Sequence, residues 1–136
     1  DLSDHGYRAI CAGQGMLKAV DALNEEFEAD GTNLKWKSVG IDRLSIRVGI
    51  HTGPVVAGNV GSEARTKYAV IGDTVNIASR VEGLNKILGT EILLTSTTVA
   101  QIKESGCSVE VQALGSHSVR GRSENVEVYT VEVDHG

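Results

Sequence analysis

The segment Tyr68–Glu82, YAVIGDTVNIASRVE, restricts the fold of this chain more than any other. Its first four residues are aromatic or aliphatic and run into Gly72, a pattern that predicts a buried strand over Tyr68–Ile71 followed by a tight turn. Asp73 then stands where a helix N-cap is expected, and Ile77, Val81, Leu84 and Leu88 recur at the spacing of one buried helical stripe. Asn76 and Arg80 lie four residues apart and so share a face of that helix. An amide and a guanidinium placed together can grip a ribose and a phosphate at once, because the guanidinium fork matches phosphate oxygens and the amide both donates and accepts. A strand, a turn and a helix in this order require a mixed α and β fold.

The rest of the chain supports that class. Asp4–Glu28 reads as a long helix in which Ile10, Gly13, Leu17, Val20, Asn24 and Phe27 recur at spacings of three and four. Gly13 and Gly15 each cost such a helix about 1 kcal/mol against Ala, so close packing is expected there. Ala29–Asn33 ends it with Gly and Asn, and Leu34–Asp42 carries no pattern. Leu44, Ile46, Val48 and Ile50 alternate with polar residues or Gly as a half-buried strand does. The turn His51–Pro54 and the run Val55–Val60 suggest a returning hairpin strand, and Gly61–Lys67 a charged loop. Ile92–Thr95 is a short strand, with Ser96 capping a helix through Glu104. Val109–Leu114 and Val126–Val133 are predicted strands joined by the basic loop Val119–Arg122. No repeat interrupts this order, and the expectation is one domain over residues 1–136.

Composition excludes several function classes. The net charge of -5 argues against a nucleic-acid surface, whose footprint is a clustered basic face. The longest apolar runs fall far short of the roughly 20 residues needed to span a bilayer, so no direct membrane contact is expected. Cys11 and Cys107 stand alone, which points to a reduced compartment and no zinc site. The location expected is cytoplasmic, with or without a tether on a longer parent protein. His51 precedes a Gly-Pro turn and reads as structural; His5, His117 and His135 are scattered, and no metal ligands are assigned. The loop Gly58–Ser62 lacks the Lys of a phosphate-binding loop.

Three blocks together resemble the class III nucleotidyl cyclases: Tyr68–Glu82, the hairpin-like Arg47–Gly58, and Val119–Arg122 with Val126–Tyr129. The resemblance runs in order from about Ser3 to Val133 and identifies the chain with the catalytic domain of that family. It implies a ferredoxin-like α+β fold that works as a homodimer with the active site shared across the interface. It also implies a purine nucleoside triphosphate as substrate, with ATP the default and GTP left open, cyclic AMP and pyrophosphate as products from ATP, and Mg2+ or Mn2+ as cofactors bound by two aspartates. By this resemblance Asn76 orients the ribose, Arg80 stabilises the α-phosphate, Ala69, Val70 and Ile71 line the substrate, and Arg120 meets the terminal phosphates.

Two departures accompany it. The family usually carries a base-reading polar residue at position 69, and Ala69 offers only a methyl group. The family domain also opens with strands bearing both metal aspartates, whereas the first family-like residues here belong to the helix that follows them. The expectation is thus a cyclase fold lacking its N-terminal strands and helices, completed by dimerisation or strand exchange, with the metal ligands outside this chain. Alone it should not cyclise ATP. The alternatives are a non-catalytic module that dimerises or regulates a catalytic partner, and a nucleotide-binding regulatory domain.

Overall fold

The computed structural model describes residues 4–54, 64–118 and 125–133, and of residues 64–72 the backbone alone. Element order is α1 (His5–Asp30), α2 (Leu34–Lys37), β1 (Val48–Ile50), α3 (Ala64–Leu88), β2 (Ile92–Thr95), α4 (Ser96–Glu104), β3 (Gln112–Ser118) and β4 (Asn125–Thr130). The strands form one sheet in the order β1-β2-β4-β3. β1 and β2 are parallel, and β4 is antiparallel to both β2 and β3, with a bulge between Ala113 and Ser116. The mixed α+β class expected from the sequence is the class observed.

Strand alternation explains the layers. In β2, whose four residues are all buried, Ile92 and Leu94 face one cluster with Ile10, Leu17, Val99, Ile102 and Val131. Leu93 faces the other way, into Ile77, Val81, Leu84 and Val128. Helices α1 and α4 therefore cover one face of the sheet and α3 covers the opposite face. Two-sided burial is why β2 reads as a continuous apolar run rather than an alternating one.

The face predicted for α1 is the face it buries: Gly6, Ile10, Gly13, Leu17 and Asn24. Gly13 meets the expectation of close packing, since a Cβ there would lie 2.9 Å from Ile92 Cδ1 and 3.2 Å from Val48 Cγ1. Gly15 does not, as open space surrounds it. Gly31 ends the helix in the left-handed region at φ 82°.

Several expectations are corrected. The strand predicted from Leu44 begins only at Val48, because the Asn24 side-chain amide occupies the backbone of Leu44: Asn24 Nδ2 donates to its carbonyl and its N–H donates to Asn24 Oδ1, both at 2.9 Å. Leu34–Lys37 forms a short helix in a stretch whose sequence carries no pattern. Ser96 is the first helical residue of α4 rather than its cap, which is Thr95 in an extended conformation. The final strands are Gln112–Ser118 and Asn125–Thr130, displaced from the predicted bounds.

The largest difference concerns Tyr68–Ile71. This stretch lies inside α3, which starts at Ala64, so Asp73 sits within the helix and is not its N-cap. A strand needs a neighbouring strand to satisfy its N–H and C=O groups, whereas a helix satisfies them internally. Among the described residues no strand lies beside Tyr68–Ile71, and β1 forms an edge of the sheet. The hairpin return expected over Val55–Val60 and the loop Val119–Arg122 lie outside the described residues.

Candidate functional site

Helix α3 is two-sided. Ile77, Val81 and Leu84 are buried against the sheet, as their spacing predicts, with Leu88 partly buried beside them. Asn76 and Arg80 are exposed one turn apart. They continue with exposed Gly83 and Ile87, which is 78% accessible, as a single solvent-facing stripe. A flexible guanidinium above an amide on such a stripe can reach an anionic group lying along the helix.

Besides this apolar contact, polar bonds hold the helix in place. Buried Asn85 donates through Nδ2 to the Val48 carbonyl at 3.0 Å and to the Glu82 carbonyl at 3.1 Å, while its Oδ1 accepts from Thr90 Oγ1 at 2.8 Å. Thr74 Oγ1 donates to the Pro54 carbonyl at 2.8 Å. Arg47 Nε lies 3.1 Å from Glu82 Oε2, a partly exposed pair worth at most about 1 kcal/mol. Between these bonds the helix rests directly on Gly49, where a Cβ would collide with the backbone of Glu82 and lie 2.8 Å from the Ala78 carbonyl oxygen. Only glycine allows that approach.

Along the edge of β1 that no described strand covers runs an open groove of about 560 Å3 lined by Met16, Ile46, Val48, Val75 and Ala78, with Arg47 and Glu82 among its polar groups. Met16 and Val75 are 49% and 55% exposed, so apolar side chains of both α1 and α3 reach solvent here. The groove and the Asn76–Arg80 stripe are adjoining faces of one helix.

Of the residues singled out in the sequence, the structure brings Asn76 and Arg80 together. Ala69, Val70 and Ile71 belong to the first half of the same helix rather than to a strand, and Arg120 lies outside the described residues. Among the described residues no group of three or more His, Cys, Asp or Glu is placed to hold a metal ion. None of their helices is long and apolar enough to cross a membrane. The residues that sequence reasoning missed are Thr74 and Asn85, whose partners lie 20 and 37 positions away and leave no local pattern.

A family model described as the adenylate and guanylate cyclase catalytic domain matches residues 3–133. Adenylate cyclase 1 of Rhizobium meliloti (strain 1021) is 40% identical over 110 residues, 81% of this chain and 16% of that protein. The adenylate cyclase of Anabaena cylindrica is 37% identical over 120 residues, 86% of this chain and 22% of that protein. The chain thus spans about a fifth of these relatives or less. Among solved structures, the adenylyl cyclase CyaB from P. aeruginosa superposes with a TM-score of 0.50 at 28% identity, covering 90% of this chain and 59% of that one.

Proposed function

The chain belongs to the adenylate and guanylate cyclase catalytic domain family, and on that premise we propose that it serves an enzyme converting ATP to cyclic AMP and pyrophosphate. Its contribution is the half of the site that orients the ribose and stabilises the transferring phosphate. The observation that carries this reading is the exposed Asn76–Arg80 pair on a helix whose opposite face is locked to the sheet. Arg80 offers a permanently charged fork to charge developing on the α-phosphate, and Asn76 offers an amide to the ribose. Arg120 would meet the terminal phosphates. With Ala69 supplying only a methyl group, base selection must come from elsewhere in the site, and ATP is favoured because the relatives cited above are named adenylate cyclases.

Among the described residues no group of three or more His, Cys, Asp or Glu is placed for the magnesium or manganese ions implied by the family, and the role read for this chain is binding and orientation. The partner that completes the site is a second cyclase domain, and the apolar groove on β1 is a face for it to cover. The test mixes this chain with a cyclase domain in which the corresponding Asn and Arg have been replaced, then measures cyclic AMP formed from ATP and manganese. Rescue by the wild-type chain and none by Arg80→Ala is the expected result. Equal rescue by both, or by neither, would leave the non-catalytic module as the better reading.

A further inference from the structure

His51, Thr52, Thr95, Thr97 and Thr98 converge where the parallel strands β1 and β2 end and α4 begins. Buried Thr95 places its Oγ1 2.9 Å from His51 Nδ1, 3.0 Å from Thr97 Oγ1 and 3.3 Å from Thr98 Oγ1. Thr98, also buried, lies 2.9 Å from Thr52 Oγ1, and Thr97 Oγ1 donates to the Thr52 carbonyl at 3.0 Å. These bonds tie the turn His51–Pro54 to the first turn of α4.

The same turn is tied to α3. Thr74 Oγ1 donates to the Pro54 carbonyl. Gly53 fills the space between the two: a Cβ on it would lie 2.9 Å from Thr74 Oγ1, 3.0 Å from Thr74 Cγ2 and 3.3 Å from His51 Nε2. Thr74 stands two residues before Asn76 in α3.

Bonds between hydroxyls add little net stability, and apolar side chains of similar shape would fill this volume as well. What the hydroxyls add is direction, because a hydrogen-bonded network anchored on buried Thr95 and Thr98, with His51 and Thr52 half-buried and Thr97 exposed, restricts the arrangement of its members. We infer that this imidazole–hydroxyl network is a positioning device for the Asn76–Arg80 turn of α3, and that Thr74 is the residue through which it acts. The functional part of this inference rests on the cyclase reading. A side chain displaced by about 1 Å from its productive place can cost about a hundredfold in rate, so a helix fixed at only one end would be a poor carrier of both residues.

The test compares Thr74→Val, which keeps shape and removes the donor, with Thr74→Ser, which keeps the donor. In hydrogen exchange on the chain as it stands, Thr74→Val should speed exchange over Val75–Arg80 by about five- to tenfold, the loss of one hydrogen bond, with Ile92–Thr95 unchanged. Thr74→Ser should restore protection. Unchanged exchange, or a rise spread equally over β2, would overturn the inference. In the mixed assay for cyclic AMP, Thr74→Val should lower kcat by about ten- to a hundredfold at constant KM for ATP, and Thr74→Ser should recover it. A change in KM alone, or a serine that fails to recover kcat, would overturn the positioning role. If exchange responds as expected while Arg80→Ala leaves cyclic AMP formation unchanged, the cyclase reading falls and the locking of α3 stands.

Discussion

The two faces of the sheet combine apolar burial with directional bonds at different places. On the α1–α4 face, Ile10, Leu17, Ile92, Leu94, Val99, Ile102 and Val131 form an aliphatic cluster, and Gly13 lets α1 settle close to Ile92 and Val48. On the α3 face the described apolar cluster comprises Ile77, Val81, Leu84, Leu93 and Val128, and directional bonds through Thr74 and Asn85 fix the helix above Gly49. Apolar burial is non-directional and tolerates small shifts, whereas hydrogen bonds specify rotation and register. The candidate site stands on the face where register is specified.

Substitutions can break this contrast. The largest stability loss is expected from Leu94→Ala on the aliphatic face, about 2–5 kcal/mol by urea denaturation, because transfer and cavity costs add. Gly49→Ala should cost about 1–3 kcal/mol, since the atoms met are helix backbone and cannot rotate away. Asn85→Ala should cost about 1–3 kcal/mol by leaving the Val48 carbonyl without that donor, and crystallography or NMR should show α3 shifted while α1 stays in place. Arg80→Ala should change stability by less than about 0.5 kcal/mol, as an exposed side chain, so that any lost activity belongs to the chemistry.

The smallest effect lies at the end of α1. Hydrogen bonds from the Thr32 hydroxyl and from its N–H, at 2.8 Å, hold the Asp30 carboxyl below its ordinary range. A carboxylate whose pKa is lowered by folding stabilises the folded state above its unfolded pKa, and that contribution is lost as pH falls through the folded value. Thr32→Val should raise the Asp30 pKa in an NMR titration and bring on fraying of the α1 terminus at higher pH.

Periodicity in the sequence was enough to locate the faces of α1 and α3 and the extent of β2, because each is a local repeat of apolar residues. It was enough for Asn76 and Arg80 as a pair, since four-residue spacing in a helix is itself a geometric statement. It failed at Tyr68–Ile71, where β-forming residues take whichever structure satisfies their backbone, and that depends on a neighbour distant in sequence. It failed again at Leu44, where a single asparagine from α1 replaces a strand partner. The polar locks of α3 escaped notice for the same reason: a threonine bonded to a carbonyl 20 positions away looks like any other threonine.

The position of β4 between β2 and β3 also has a consequence for synthesis. A nascent chain that has not yet released Asn125–Thr130 from the ribosome has β2 paired only with β1, and Leu93 without Val128 beside it. The sheet therefore closes last at its own middle, and until then an apolar strand edge is open to any other unfinished chain nearby.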